Sequence, residues 1–196
     1  MAPVEQALVA VLLLAAPVTS SLADSSVAGS STTRAAPRSP LHLDLEVDPT
    51  AFALGGYSAH VGIGWERLRL DLGLFAADIP RFLQSNKGFS ASADGVGAKL
   101  QYFLFAEQVG GFVGIEGARN RQRVALDGTG LSSRQSSWGA GADVGWRFAL
   151  GRHFHVTPWV GLDYTFGGKD VALAGRTYKS RPWSIYPFVH LGYRFQ

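Results

Sequence analysis

Apolar and polar residues alternate with a period of two in segments that recur between residues 41 and 195. The first segment, residues 41–48, shows the pattern most clearly. Leucine and valine occupy every odd position there, and histidine and acidic residues occupy every even one. A β-strand directs successive side chains to opposite faces, so the alternation predicts strands that have one apolar side and one polar side.

The pattern predicts eight strands, seven of them clear and one, at residues 113–118, weak. They span residues 41–48, 57–65, 68–74, 95–104, 113–118, 138–148, 154–166 and 184–195. Short connections at 66–67, 107–110 and 151–152 alternate with long ones at 77–91, 119–136 and 167–183. An even strand count, with short turns at one rim and long loops at the other, is typical of transmembrane β-barrels. The predicted fold is therefore all-β, an eight-stranded antiparallel transmembrane barrel over residues 41–196.

Residues 1–23 have most features of a secretory signal peptide. Residues 7–18 form an apolar core, and Ser21 and Ala23 place small residues where a signal peptidase would cleave before Asp24, although the first residues lack Lys and Arg. The core is too short for a membrane-spanning helix, which needs about 20 residues. Residues 24–40 are rich in Ser, Ala, Thr and Pro and predict a disordered periplasmic linker.

Composition agrees with one narrow barrel. The chain has 196 residues, with 24 Gly, 12 Phe, 6 Tyr and 5 Trp; aromatics suit a lipid interface, and glycine suits a crowded interior. The formal charge of +3 is mild, and a nucleic-acid partner would need a concentrated basic face, so none is predicted. The absence of Cys excludes a disulfide framework and thiolate metal sites.

Alternation alone does not separate a membrane barrel from a soluble, lipocalin-like barrel with an apolar interior. Aromatic residues near the predicted strand ends, and glycine rather than long Lys and Glu side chains on the polar face, favour the apolar face outward. The polar face also carries both charge signs, and buried charges must be paired. The predicted ion-pair network of the lumen comprises Asp44, Glu46, Glu66, Arg67, Arg69, Asp71, Lys99, Glu116, Asp143, Arg147, Asp163 and Arg194.

The closing run Val189-His190-Leu191-Gly192-Tyr193-Arg194-Phe195 resembles the C-terminal signal read by the outer-membrane assembly machinery, with Gln196 following the final aromatic. Its signal positions are Val189, Leu191, Tyr193 and Phe195. Together with the strand pattern over residues 41–196, it resembles the small eight-stranded outer-membrane barrels of the OmpA, OmpX and OmpW type. The resemblance implies a place in the outer membrane of a Gram-negative bacterium, with membrane lipid and the assembly machinery as partners. It implies no activity.

An enzymatic site is not predicted. Barrels that act on lipid A need a His, a Ser and a carboxylate near the outer rim. Ser58 and His60 share a face that Asp44 or Glu46 could approach, but the His-x-Ser order of lipid A deacylases is absent, and a hydrogen-bonded lumen lining is favoured. No cofactor and no metal are predicted, because the other candidate ligands are expected at scattered heights; these are His42, His155 and His190.

Two predicted loops are basic. The loop at 119–136 contains Arg119, Arg121, Arg123 and Arg134 against Asp127, and the loop at 167–183 contains Lys169, Arg176, Lys179 and Arg181 against Asp170. Guanidinium groups bind phosphate bidentately, so these loops suggest contact with lipopolysaccharide; alternatively their side chains are merely solvated.

The predicted function is an integral outer-membrane barrel with a structural or surface-interaction role and a narrow lumen. An eight-stranded barrel is just filled by its own side chains, which disfavours a general pore. The alternative is a lipid-modifying barrel enzyme or a carrier of small apolar molecules. The sequence leaves the oligomeric state open.

Overall fold

A computed structural model describes residues 41–81 and 84–195. The predicted signal peptide, its cleavage site and the linker fall on residues 1–40 and lie outside the described residues. The elements are β1 Leu41–Val47, α1 Pro49–Ala53, β2 Tyr57–Trp65, β3 Leu68–Ile79, β4 Phe89–Phe103, β5 Gly110–Leu126, β6 Ser132–Leu150, β7 Phe154–Phe166, β8 Val171–Leu173, β9 Arg176–Tyr178 and β10 Trp183–Phe195.

Eight of the strands close into one antiparallel barrel in the order β1-β10-β7-β6-β5-β4-β3-β2. The first and last strands, β1 and β10, pair with each other and close the barrel, with Leu43 opposite Phe195 and Val47 opposite Leu191. Each of the eight barrel strands therefore has a hydrogen-bonded neighbour on both sides. The predicted eight-stranded antiparallel barrel is confirmed.

The apolar face of the wall points outward. Leu72 in β3 is 50% exposed and Ile115 in β5 is 64% exposed, whereas Arg69 and Arg147 are each 1% exposed in the interior. This polarity is the reverse of a soluble barrel, in which the apolar face fills the core. The period of two permits this arrangement, because one face of each strand points to the outside of the barrel and the other points into the lumen.

Exposed aromatic residues mark both ends of this apolar wall. We call the end with the short connections 66–67, 104–109 and 151–153 the turn end, and the opposite end the loop end. The exposed aromatic residues toward the turn end include Trp65, Tyr102, Trp146, Phe154 and Phe195. The exposed aromatic residues toward the loop end include Tyr57, Trp138, Phe166 and Trp183. Two aromatic girdles around an apolar band are the surface expected of a barrel in a bilayer.

The predicted loop at 119–136 is wrong. β5 and β6 continue through it as a paired ladder, up to Ala125 opposite Ser132, so their connection is only residues 127–131. The loop predicted at 77–91 likewise shortens to residues 80–88. Residues 119–122 of β5 and 132–137 of β6 are polar on both faces, so the hydrophobic alternation disappears there although the backbone pairing does not. The height of the barrel wall therefore differs from strand to strand, since β1 has 7 residues and β6 has 19.

Two small elements at the loop end were not predicted. α1 begins with Pro49 at its first turn, and the side chain of Asp48 caps it by accepting a hydrogen bond from Thr50 N at 2.8 Å. Pro at this position and Asp at the cap are both favoured by helix geometry. Within residues 41–81 and 84–195, no helix combines the length and the apolar character needed to cross a membrane.

The second element is the hairpin of β8 and β9, inside the predicted loop at 167–183. It packs Val171 and Tyr178 against inward-facing residues of β4 and β5, among them Phe89 and Val124. Lys179 and Asn86 also exchange two hydrogen bonds, of 2.8 and 3.0 Å. The last long connection is therefore docked onto β4 and β5.

Candidate functional site: the charged interior and the basic outer wall

The centre of the interior is a four-membered group of buried charges. Arg69 Nε lies 3.2 Å from Asp44 Oδ2, and Arg69 Nη2 lies 3.2 Å from Glu46 Oε2. Arg147 approaches the same two carboxylates at 3.0 and 2.6 Å. All four side chains are at most 1% exposed. Two guanidinium groups therefore neutralise two carboxylates, which offsets the cost of removing each charge from water.

Strand alternation and glycine create the space for this group. The charges come from β1, β3 and β6, whose inward faces meet across the lumen. A Cβ atom on Gly62 would lie 2.2 Å from Arg69 Nη2, and one on Gly114 would lie 2.0 Å from Asp143 Oδ1. Glycine on the inward face thus leaves room for the long charged side chains of neighbouring strands.

Further pairs extend the group in both directions along the barrel. Toward the turn end, Arg194 Nε lies 2.9 Å from Asp44 Oδ1. Toward the loop end, Lys99 Nζ lies 2.9 Å from Glu116 Oε2 and 3.9 Å from Asp143 Oδ2. Asp71 Oδ2 lies 2.9 Å from Arg69 Nη1. Arg194 and Lys99 thus pair with carboxylates that lie one or two strands away in the barrel.

Three members of the predicted network take no part in the interior ion pairs of the described residues. Glu66 and Arg67 form the exposed turn between β2 and β3, so their assignment to the lumen is wrong. The turn lies beyond the wall, where alternation no longer reports a face; Arg67 Nη1 donates instead to Tyr102 Oη at 3.2 Å. Asp163 is half-buried and faces inward but forms no ion pair with a described residue.

Neutral side chains complete the interior, and the sequence reading omitted them. Gln101 accepts from Arg69 at 3.0 Å and donates to Asp143 at 2.8 Å. The Oε1 atom of Gln108 lies 2.9 Å from His42 Nε2, although Gln108 belongs to a turn. Gln101 could have been found, since it shares the inward face with Lys99. Gln108 carried no such signal, because a turn residue with φ of 53° is outside the alternation.

A serine, a histidine and an aspartate form a hydrogen-bonded chain between β2 and β3. Ser58 Oγ lies 2.9 Å from His60 Nε2, and His60 Nδ1 lies 2.8 Å from Asp71 Oδ1. The alternation places Ser58 and His60 on one face, and it led us to expect Asp44 or Glu46 as the nearby carboxylate. Asp71 takes that place because the β2–β3 register sets Gly62 opposite Asp71, two residues along from His60. The order of groups is that of a nucleophile, a base and an orienting carboxylate.

The histidines are not scattered as expected. His155 Nε2 and His190 Nδ1 both contact Glu46, at 2.7 and 2.9 Å, and the rings of His60 and His190 lie 4.5 Å apart. The stagger between strands places these histidines at similar heights along the barrel. The pattern within a single strand does not reveal that stagger. Asp44, Glu46 and His155 also have ligand atoms within 4.8 Å of one another. Their carboxylates already bind arginines, so a metal ion would have to displace guanidinium groups.

The eight basic residues predicted for loops divide into two groups. Those of the last connection stay at the loop end; Lys179 donates to Asp170 at 2.7 Å, which lowers the pKa of that carboxyl, and Arg176 donates to Lys87 O at 2.8 Å. The other four are corrected from loop to strand. Arg119, Arg121 and Arg123 are exposed on the outward face of β5, and Arg134 is exposed on that of β6.

Comparisons with known proteins give structural likeness without close sequence similarity. No protein-family model and no curated protein matches the chain. The N-terminal β-barrel domain of Pseudomonas aeruginosa OprF has 14% identity and a TM-score of 0.44, covering 79% of this chain and 96% of that one. Neisserial surface protein A has 15% identity and a TM-score of 0.44, covering 80% and 96%. Identity this low leaves function to be argued from the chain's own residues.

We expect Glu46→Gln to destabilise the barrel by about 3 kcal/mol or more, because the change leaves Arg69 and Arg147 short of a buried counter-charge. The isosteric control Asp94→Asn removes a carboxylate from an exposed ion pair with Arg121 and should cost less than about 1 kcal/mol. Urea unfolding of both variants in detergent micelles checks the difference. Equal losses would mean that the interior pairs contribute no more than a surface pair.

Proposed function

We propose that the chain is an integral barrel of the outer membrane of a Gram-negative cell, with a structural or surface-interaction role. The observation that carries the proposal is the inverted polarity of the wall. Leu72 and Ile115 are exposed on it, whereas Arg69 and Arg147 are enclosed. A large apolar surface is stable when lipid covers it, and the aromatic residues at both ends suit the two lipid–water interfaces.

The filled interior supports a role other than transport of solutes. Eight strands enclose a space that side chains just fill, and here charged pairs cross it from β1 to β3 and β6. The same charges disfavour the carrier of small apolar molecules, since such a cargo would have to displace paired ions. The barrel is thus proposed as a rigid support for surface features outside the membrane.

Lipopolysaccharide and the assembly machinery are the proposed partners. The basic residues at the loop end would face the phosphates of the outer leaflet, where guanidinium groups bind well. The proposed assembly signal lies on β10, where Leu191 and Phe195 are each 43% exposed on the outward face. That position would leave the apolar side chains of the last strand available before the barrel closes onto β1.

The topology can be tested because the chain has no Cys. We expect Lys169→Cys, in the last long connection, to react on intact cells with a maleimide carried on a polyethylene glycol too large for porins. Glu107→Cys, in the turn-end connection, should react only after the outer membrane is permeabilised. Mass-shifted bands on immunoblots report both reactions. Labelling of both sites, or of Glu107→Cys alone, on intact cells would contradict the proposed orientation.

A lipid-directed hydrolase is the second candidate, and the Ser58–His60–Asp71 chain is the observation that favours it. Two features weaken it. Ser58 is only 3% exposed, so a substrate has no direct approach to its oxygen. The other oxygen of Asp71 also lies 2.9 Å from Arg69 Nη1, so the same carboxylate belongs to the interior charge network.

We expect a fluorophosphonate probe to label the folded protein no more than its Ser58→Ala variant, because the hydroxyl is enclosed. Ser58→Ala should instead destabilise the barrel by about 1–3 kcal/mol by leaving the Nε2 atom of His60 without its hydrogen-bond partner, whereas Ser90→Ala on the outer wall should change little. In-gel fluorescence and urea unfolding measure the two effects. Covalent labelling that needs both Ser58 and His60 would make the hydrolase the better account.

A further inference from the structure

A compact basic surface lies on the outward faces of β5 and β6, next to the apolar band. It is formed by Arg119, Arg121, Arg123 and Arg134, and we call it the arginine wall. The register places these side chains in three successive rows across β4, β5 and β6. The rows, beginning nearest the membrane band, are Val96–Arg119–Trp138, Asp94–Arg121–Ser136 and Ser92–Arg123–Arg134. Strand geometry fixes their spacing, with opposite residues about 5 Å apart at Cβ.

The arginine wall has an excess of positive charge at close range. Arg121 donates to Asp94 at 2.7 Å through Nε, and this is the one carboxylate in the three rows. Arg123 and Arg134 stand directly opposite each other, and neither forms an ion pair with a described residue. Like charges placed opposite on neighbouring strands destabilise a sheet. An anion bound between the two guanidinium groups would remove that repulsion.

The height of the arginine wall identifies the anion's setting. Its lowest row still contains the exposed apolar residues Val96 and Trp138, at 59% and 62% exposure, and the guanidinium of Arg119 lies 5.8 Å from the Trp138 ring. The next rows toward the turn end are apolar and include Leu100 opposite Ile115 and Tyr102 opposite Val113. The arginines therefore begin where the apolar band ends, which is the level of lipid headgroups.

We infer that the arginine wall is a binding site for the phosphate groups of an outer-leaflet glycolipid of the lipopolysaccharide class. The inference rests on the proposed outer-membrane function and adds a phosphate site on the outer surface of the paired strands β5 and β6. Guanidinium groups on adjacent strands can form bidentate, charge-assisted hydrogen bonds to one phosphate. The site opens sideways into the lipid leaflet, so its ligand is a membrane lipid rather than a free ion.

The test uses the full mature protein folded in detergent micelles and bisphosphorylated lipid A as the probe, with native mass spectrometry measuring retained lipid. We expect Arg123→Gln combined with Arg134→Gln to weaken retention about tenfold, a change worth one charged hydrogen bond. Arg67→Gln combined with Arg152→Gln removes the same charge from exposed positions at the turn end and should change retention less than about twofold. Asp94→Asn, which removes the opposing carboxylate, should strengthen retention.

Two further arms identify the ligand. Lipid A without phosphates should bind the wild-type protein and the arginine variant equally weakly, and millimolar inorganic phosphate should not displace bisphosphorylated lipid A. The inference is overturned if the folded arginine variant retains lipid A as well as wild type, if both double variants lose it equally, or if free phosphate competes. Heat-dependent gel mobility of the same samples reports the barrel itself, so failure of the proposed function is visible separately.

Discussion

The pairing of buried charges in the lumen is the constraint on which the rest of the structure depends. Glu46 contacts Arg69, Arg147, His155 and His190 within 3.2 Å. Isolated charges in such a place would be very costly, so the carboxylates and guanidinium groups must meet with good geometry. Because Glu46 lies on β1 and its partners lie on β3, β6, β7 and β10, satisfying Glu46 requires the barrel to be closed at one particular stagger of its strands.

The outer surface follows from the same constraint. Once alternate residues are committed to a charged interior, the remaining residues of every strand face outward, and in this chain they are apolar. Glycine on the inward face then sets how closely the strands' long side chains approach, as Gly62 does for Arg69. Beyond the apolar band the inside contains an apolar cluster around Phe89 and Val124, and the outside carries arginines. The polarity of the wall therefore reverses along β5, and this reversal marks the end of the apolar band.

The sequence predicts the fold where alternation is strong, as in β2, whose bounds agree with the structure. It fails along the upper parts of β5 and β6, because polar residues on both faces erase the period of two while backbone hydrogen bonds continue. The same limit explains the arginines, which were expected in a loop. Partner choice was also beyond the pattern: Ser58 and His60 were visible as neighbours, but Asp71 rather than Asp44 completes their chain because register between strands decides which carboxylate is near.

The most direct test of this account is gel mobility of the membrane-extracted protein in SDS, with and without boiling, alongside fractionation of the cell envelope. A closed barrel held by interior ion pairs and a complete strand ladder should resist SDS when unheated and migrate differently after boiling. The account predicts this shift, with the protein in the outer-membrane fraction. A single mobility, with the protein soluble in the periplasm or the medium, would contradict it, since the exposed apolar wall would then have no lipid to cover it.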